Sequence, residues 1–300
     1  MPSEETAPAI VIGGPTASGK SALAIRLAQT IGGEIINADA FQLYRGLPLL
    51  TAQPSPEELA EAPHQLVGEF EPDELFDAAR YLKIARERIA NSRKAALVPI
   101  LVGGTGLYIR AVLYGLTSGL PGPDAALRST LETRPMEELR RELVLLDPEA
   151  AHRVDLQNPR RVIRALEVCL LTGRPFTSFR EQPSAERPVV GMWLSLPREV
   201  LHRNIETRAG LLFENGVEEE VRNALPKLGL NSKQAIGVKD VSDFLDGTVS
   251  KDKALENIIF ATRQYARRQE TWFKKEHGLR PQSPEEAMAF CLELLQRRGG

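Results

Sequence analysis

The chain contains little cysteine and no long apolar run. Only Cys169 and Cys291 are present, and their wide separation matches no metal-binding or redox spacing. We therefore expect a reducing compartment, without a disulfide framework or a zinc site. No window approaches the roughly eighteen consecutive apolar residues of a membrane span, and the acidic, proline-containing residues 1–9 do not resemble a secretory signal. These features favour a cytoplasmic protein without membrane contact.

An excess of charge of one sign is also missing. The 300 residues include 38 basic and 40 acidic side chains, which gives a net charge of −2. A protein that coats nucleic acid over its whole surface would be basic, so any such contact must be local. With 42% hydrophobic and 26% charged residues, the composition is that of a soluble globular chain with one large domain or two ordinary ones.

Apolar strands alternate with helical patterns in the first third of the chain. This alternation predicts an α/β core in which a parallel sheet is flanked by helices. The predicted strands cover 9–13, 34–39, 97–102 and, more weakly, 64–70; the predicted helices cover 21–31, 76–93 and 105–114.

The pattern changes near Gly115. Glycines and prolines mark a break, apolar residues then recur only at helical spacing up to about Thr172, and a second break follows. Strand-like residues return at 189–196, and from Pro197 onward every pattern is helical. We expect a core of residues 1–114 and 189–300, interrupted by an all-helical insert of residues 115–188.

A phosphate-binding motif follows the first predicted strand. The motif G-x-x-x-x-G-K-[ST] is matched by Gly14, Pro15, Thr16, Ala17, Ser18, Gly19, Lys20 and Ser21. Its glycines let backbone N–H groups point at an anion, the helix N-terminus adds positive potential, Lys20 supplies an ammonium group, and Ser21 can hold Mg²⁺. A diphosphate or triphosphate is the expected ligand, and the motif does not decide between ATP and another diphosphate.

Asp39 ends the second predicted strand, nineteen residues after Lys20. Parallel neighbouring strands present their C-terminal ends at one edge of a sheet, so this carboxylate should lie near the phosphates. Asp39 could ligate a metal, act as a general base, or merely stabilise a turn. Gln42 could contact a base or a sugar.

A second glycine turn, at 103–106, follows the predicted strand 97–102. Thr105 lies at the start of the next helix. Its hydroxyl could donate to the same anion or cap the helix.

Basic residues are concentrated in two places. Residues 152–180 contain six arginines against two acidic residues, and a late helix mixes basic, amide and aromatic side chains. The late group comprises Arg263, Gln264, Tyr265, Arg267, Arg268, Gln269, Trp272, Phe273, Lys274 and Lys275. Such a mixture suits phosphate contacts and base stacking in RNA, and it also suits a solvated helix with Trp272 and Phe273 in the core.

Several separated motifs resemble the tRNA dimethylallyltransferase family over nearly the whole chain. They are residues 14–21, 39–46, 62–64, 101–108, 158–161 with 164–167, and 262–269 followed by 271–273. Arg203, Arg208, Gly216 and 220–221 resemble a further family stretch.

The resemblance implies transfer of a dimethylallyl group from its diphosphate to N6 of adenine 37 in a tRNA anticodon loop. The phosphate loop would then hold the prenyl diphosphate, and Asp39 would take the proton of the attacking amine. Lys20, Ser21 with Mg²⁺, Thr105 and Arg208 would stabilise the leaving diphosphate. The helical insert would clamp the anticodon stem-loop, and a monomer would suffice.

The same resemblance implies a set of RNA-contacting positions. They are Asp39, Ala40, Phe41, Gln42, Thr105, Arg128, Gln157, Asn158, Pro159, Arg160 and Arg161. The chain departs from the family pattern at Ala40, where serine is usual, at Gln53 in place of a lysine, and at Val238 in place of a tyrosine.

Three other functions remain open at this stage. A small-molecule kinase would use the phosphate loop for ATP and Asp39 as a base, but it would leave the insert and the late basic helix unexplained. A prenyltransferase for free adenine nucleotides would need only the core. An RNA-binding protein could use the phosphate loop as a ligand sensor without catalysis.

Overall fold

Six strands form one parallel sheet in the part of the chain that the computed structural model describes, residues 9–116, 120–179 and 189–296. The strand order is β3-β2-β4-β1-β5-β6, and every pair of neighbours is parallel. The strands are β1 (Ala9–Gly13), β2 (Gly33–Asn37), β3 (His64–Gln65), β4 (Val98–Gly103), β5 (Val189–Leu194) and β6 (Arg280–Gln282).

Helices follow most of the strands, as expected for an α/β protein. Those up to the insert are α1 (Lys20–Ile31), α2 (Pro48–Thr51), α3 (Pro56–Glu61), α4 (Ala78–Lys94) and α5 (Gly106–Tyr114). The helices of the insert are α6 (Ala125–Glu132), α7 (Met136–Leu146), α8 (Ala150–Arg153) and α9 (Pro159–Thr172). The later ones are α10 (Arg198–Gly210), α11 (Val217–Ala224), α12 (Val238–Leu245), α13 (Lys251–Lys275) and α14 (Pro284–Gln296). The predicted fold class is confirmed.

The centre of the sheet is apolar because both of its faces are covered. β1 is buried along its whole length, and its Ile10 and Ile12 lie in register with Ile100 and Val102 of β4. Leu27 of α1 packs in the same core cluster as these side chains. Continuous apolar strands of this kind are typical of parallel sheets.

Two predictions about strands are wrong. β6 lies in a region predicted to be wholly helical, and it pairs with β5 at the edge of the sheet. Three residues that include Pro281 are too few to show an alternating pattern, and proline is tolerated on edge strands. The predicted strand 64–70 is also only His64–Gln65 long.

The chain divides into two compact units. One comprises Met1–Leu113 and Ala185–Gly300 and contains the sheet, and the other comprises Tyr114–Ser184. The second unit has its own core, to which α7 contributes Leu139 and Leu143 and α9 contributes Val162 and Leu166.

The ends of β2 and β4 are tied together at one edge of the sheet. The N–H of Ala38 donates to Val102 O at 2.7 Å, and the N–H of Thr105 donates to Ala38 O at 3.1 Å. This edge carries the segments that sequence motifs mark as functional. Among the described residues, none of the helices combines the length and apolarity needed to cross a bilayer.

Candidate active site

The phosphate-binding motif forms the loop between β1 and α1. Gly19, the N-cap of α1, has φ of 87°, Ala17 has φ of 63° and Gly14 has φ of 140°, so the loop has positive φ at three positions. The Nζ of Lys20 donates to Pro15 O at 2.7 Å, which folds this side chain back over the loop.

Ser18 is a buried loop residue whose hydroxyl has no hydrogen-bond partner within the described part of the chain. Buried polar groups in folded proteins are nearly always paired. The Ser18 side chain therefore suits a ligand that brings its own oxygen atoms.

A cavity of about 250 Å³ lies beside this loop. It brings together the motif residues Thr16 to Ser21, Asp39 and Arg208, which are far apart in the sequence. Its wall also includes Asn37, Gln42, Thr51, Ala52, Pro54, Glu58, His64, Val67 and Gly103.

Asp39 lies two residues beyond the end of β2 and is held by local hydrogen bonds. The Asn37 side chain accepts from the N–H of Asp39 at 3.0 Å and donates to Leu66 O at 2.9 Å. The Asp39 Oδ1 accepts from the N–H of Phe41 at 3.1 Å. Asp39 therefore stabilises a turn and also faces the cavity, so the structural and chemical interpretations both apply.

Two cations and one carboxylate interact electrostatically in this site. Burial raises the pKa of Asp39, and hydrogen bonding from the Phe41 N–H and the charges of Lys20 and Arg208 only partly oppose this. Burial, opposed by the charge of Asp39 and aided by that of Arg208, lowers the pKa of Lys20 to about 8. Lys20 is therefore still largely protonated at neutral pH, and Asp39 is a stronger base than an exposed aspartate.

Arg208 reaches the phosphate loop from α10. Its Nη2 donates to the Thr16 hydroxyl at 3.1 Å, and burial lowers the pKa of the guanidinium. A neighbouring contact, from Asn204 Nδ2 to Ala17 O at 3.0 Å, joins the same helix to the same loop.

Thr105 is placed behind the loop that carries Asp39. Its Oγ1 accepts a hydrogen bond from the N–H of Ala40 at 2.9 Å. Gly103 allows the close approach, because a Cβ there would lie 2.2 Å from the carbonyl atoms of Ala38. Thr105 is not among the residues that line the cavity beside the phosphate loop.

A smaller cavity of about 40 Å³ shares Asp39, Thr16 and Arg208 with the first. Phe41, Leu50, Ile236 and Tyr265 add apolar and aromatic side chains to its wall; Thr51, which also lines the first cavity, Ala235 and Thr262 complete the lining. One carboxylate thus lines both spaces.

Comparison with known proteins identifies the family. The family model described as IPP transferase matches residues 42–276. A tRNA dimethylallyltransferase of Citrifermentans bemidjiense is 44% identical over 276 residues, which cover 90% of this chain and 90% of that protein. This chain belongs to the IPP transferase family.

Solved structures agree with this family assignment. The tRNA isopentenylpyrophosphate transferase of Bacillus halodurans is 32% identical with a TM-score of 0.71, and the match covers 98% of each chain. A eukaryotic dimethylallyltransferase acting on tRNA is 25% identical with a TM-score of 0.82, over 97% of this chain and 80% of that one. The resemblance to the tRNA dimethylallyltransferase family that the sequence motifs indicated is confirmed. Because the chain belongs to a family of prenyl-group transferases, the interpretation as a small-molecule kinase is rejected.

The second unit of this IPP transferase contains an arginine–glutamate cluster. Glu167 of α9 is fully buried; it accepts from Nε and Nη2 of Arg128 at 2.9 and 3.0 Å and from Nη1 of Arg164 at 2.5 Å. The N–H of Asp124 donates to it at 2.7 Å. Arg128 is predicted to contact RNA. At least two of its N–H groups, on Nε and Nη2, instead bond Glu167 and so join α6 to α9.

The other predicted RNA-contacting residues of this unit surround the start of α9. Asn158 is the N-cap and its side chain accepts from the N–H of Arg161, while Pro159 is the first helical residue. Gln157 accepts from Nη2 of Arg140 at 3.2 Å, and Arg160 and Arg161 are exposed.

Helix α13 of the transferase has an outward and an inward face. Its outward face and α10 border a groove of about 380 Å³ that is lined by Arg198, Leu201, His202, Phe260, Arg263, Gln264, Ala266, Arg267 and Glu270. Phe260 is 64% exposed there. Arg263 forms an ion pair with Glu206, whereas Arg198 and Arg267 form no ion pair within the described chain.

The inward face of α13 is packed against the sheet. Phe273 is buried and stacks on Trp193 with ring centroids 5.9 Å apart. The ring of Trp272 covers Gly106, where a Cβ would lie 2.2 Å from it. Phe273 is therefore a core residue, as one of the two interpretations of the late helix expected, whereas Trp272 is half-buried.

Gln42, which is predicted to contact RNA, lines the cavity, and its amide nitrogen is bonded within the protein. Its Nε2 donates to Ala52 O at 2.7 Å and to Thr51 O at 3.1 Å, at the end of α2. Gln53, which replaces the family's lysine, donates to Tyr44 O at 2.7 Å and so secures the same segment.

Sequence reasoning alone did not assign roles to Glu220 and Gln269. Glu220 caps α2 by accepting from the N–H groups of Leu49 and Leu50 at 2.7 and 3.0 Å, and α2 forms part of the cavity wall. Both residues fall in stretches that resemble the family, which was the only available signal.

Proposed function

We propose that this chain transfers a dimethylallyl group from dimethylallyl diphosphate to N6 of adenine 37 in tRNA. One observation carries the proposal: a base with a raised pKa, Asp39, lines the same cavity as the phosphate loop and Arg208. Family membership supports this choice, since the relatives are named for that activity.

The diphosphate would bind at the phosphate loop. The N-terminus of α1 offers backbone N–H groups, Lys20 and Arg208 offer positive charge, and the unpaired hydroxyl of Ser18 offers a further donor. As the allylic carbon–oxygen bond breaks, negative charge grows on the leaving diphosphate, and these groups stabilise it.

Asp39 would receive the proton. The adenine amine attacks the allylic carbon, a carbon–nitrogen bond forms, pyrophosphate leaves, and one N6 proton passes to the Asp39 carboxylate. The raised pKa of this carboxylate improves its match to that task. Thr105 would act through its bond to the N–H of Ala40 by holding the Asp39 loop.

The smaller cavity suits the apolar and planar parts of the reactants. Phe41, Leu50 and Ile236 provide apolar surface next to Asp39. The target adenine would have to leave its base stack to reach this carboxylate.

Mg²⁺ would be held by Ser21 together with diphosphate oxygens. No cluster of three or more His, Cys, Asp or Glu side chains suited to a metal occurs among the described residues, so the substrate must supply most of the ligands. When bound, the ion supplies positive charge that stabilises the leaving group.

The RNA would be recognised by the insert and by the groove beside α13. Exposed Arg160 and Arg161 start α9, and Arg198 and Arg267 have no ion-pair partner within the described chain. A single chain would suffice, so we propose that the protein acts as a monomer.

One assay tests the proposal. Purified protein, Mg²⁺, dimethylallyl diphosphate and an anticodon stem-loop bearing A36-A37-A38 are combined, and the mass of the nucleosides is measured. We expect one dimethylallyl group on A37. With Asp39→Asn, transfer should fall by roughly 10²- to 10⁴-fold while stem-loop affinity changes little. If Asp39→Asn transfers the group at the rate of the unmodified protein, Asp39 does not accept the proton.

A further inference from the structure

Gln269 on α13 is a buried amide that bonds two separate loops of the site. Its side chain is 4% exposed. The Oε1 accepts a hydrogen bond from the N–H of Thr16 at 2.8 Å, and the Nε2 donates to Gly104 O at 3.0 Å. Both ends of the amide are therefore occupied.

The two loops carry different parts of the proposed chemistry. Thr16 belongs to the phosphate loop, and its hydroxyl is bound by Arg208. Gly104 precedes Thr105, whose hydroxyl binds the N–H of Ala40 next to Asp39. Three hydrogen bonds and two peptide links, Gly104–Thr105 and Asp39–Ala40, thus connect the diphosphate-binding loop through one amide to the base.

The absence of a side chain at Gly104 leaves room for the amide of Gln269. A Cβ on Gly104 would lie 2.1 Å from the Gln269 Nε2, so glycine is needed for the contact. Since the N–H of Thr16 donates to Gln269, this N–H is not available to a bound phosphate, which must be contacted by other N–H groups of the loop.

We propose that Gln269 is a positioning residue that sets the distance between the bound diphosphate and Asp39. The inference rests on the proposed function. Reaction rates respond steeply to alignment, and a displacement of about 1 Å can reduce a rate by roughly 10². Loss of the amide should therefore slow the chemical step while each half of the site still binds its ligand.

Gln269→Met tests this because it keeps the length and apolar body of the side chain and removes both hydrogen bonds. We expect kcat to fall by roughly 10- to 100-fold. The dissociation constant for pyrophosphate and the KM for the stem-loop should change less than about threefold. Gln29→Met, on the exposed side of α1, is the matched control and should keep kcat within about twofold of the unmodified protein.

An unchanged kcat in Gln269→Met would overturn the inference, and so would a loss of pyrophosphate affinity in the same proportion as kcat. If Gln269→Met does not fold, Gln269→Asn decides, because it keeps the amide but is one methylene too short to bond both loops. A reduced kcat with intact pyrophosphate binding then supports the inference, and an unchanged kcat overturns it. Absence of any transfer by the unmodified protein would instead refute the proposed function.

Discussion

The hydroxyl of Thr105 accepts a hydrogen bond from the N–H of Ala40 at 2.9 Å, which fixes the residue that follows Asp39. Thr105→Val keeps the shape of the side chain but leaves that N–H without its partner. We expect kcat for dimethylallyl transfer to fall about tenfold. Steady-state kinetics on the stem-loop would measure this, and Thr105→Ser, which restores the acceptor, should recover most of the rate. Equal losses in the valine and serine variants would contradict this role.

The pH dependence of transfer should be bell-shaped. Asp39 must be deprotonated to accept a proton, so kcat/KM rises with pH through its raised pKa. Lys20 must be protonated to bind diphosphate, so kcat/KM falls as the pH passes about 8. A pH profile of kcat/KM for dimethylallyl diphosphate checks both limbs.

Lys20→Arg separates the two groups. A guanidinium stays charged throughout this range, so the alkaline limb should move to higher pH while the acidic limb stays in place. An alkaline limb that does not move would assign it to another group.

Removal of the Glu167 carboxylate should destabilise the insert. Although burial raises the pKa of Glu167, the hydrogen bonds from Arg128 and Arg164 outweigh it, and the net pKa is lowered. We expect Glu167→Gln to reduce the free energy of unfolding by about 1–3 kcal/mol, since both arginines remain partly exposed. Urea unfolding at neutral pH would measure the difference.

The sign of its pH dependence follows from the lowered pKa. The stabilisation by Glu167 is present at neutral pH and is lost as the pH falls through the lowered pKa of the folded protein. The difference between the unmodified protein and Glu167→Gln should therefore shrink in acid. A constant difference across pH would show that charge is not the cause.

Reversal of the charge of Arg267 should weaken RNA binding. Arg267 borders the groove between α10 and α13 and has no ion-pair partner among the described residues. In Arg267→Glu we expect a higher KM for the stem-loop, a smaller dependence of binding on salt, and an unchanged KM for dimethylallyl diphosphate. Lys94→Glu, at the exposed end of α4, is the control. Equal effects of the two variants would mean a general charge effect.

Local patterns in the sequence were enough to predict the core of the site. The phosphate loop follows a strand and precedes a helix, and the parallel arrangement of β2 and β4 brings Asp39 to the same edge. These predictions succeed because they depend on strand direction and on glycine-rich turns, which short sequence windows reveal.

Contacts between distant segments could not be predicted in this way. The partners of Gln269 are backbone groups of Thr16 and Gly104, which no spacing rule connects to α13. The Nε2 of Gln42, a residue predicted to contact RNA, donates to backbone carbonyls at the end of α2, a contact that no local pattern indicates. Local composition shows which side chains carry hydrogen-bonding groups, and only tertiary packing determines which of those groups remain for a substrate.

The 25-residue α13 extends about 37 Å, and residues three or four apart along it lie on the same side, either toward the site or toward solvent. Thr262, Tyr265, Gln269 and Phe273 point inward, whereas Phe260, Arg263 and Arg267 border the outer groove. If the outer groove binds RNA as proposed, substitutions in the second set should change RNA preference and leave turnover intact. Random substitution along the whole of α13 would change RNA preference and turnover together.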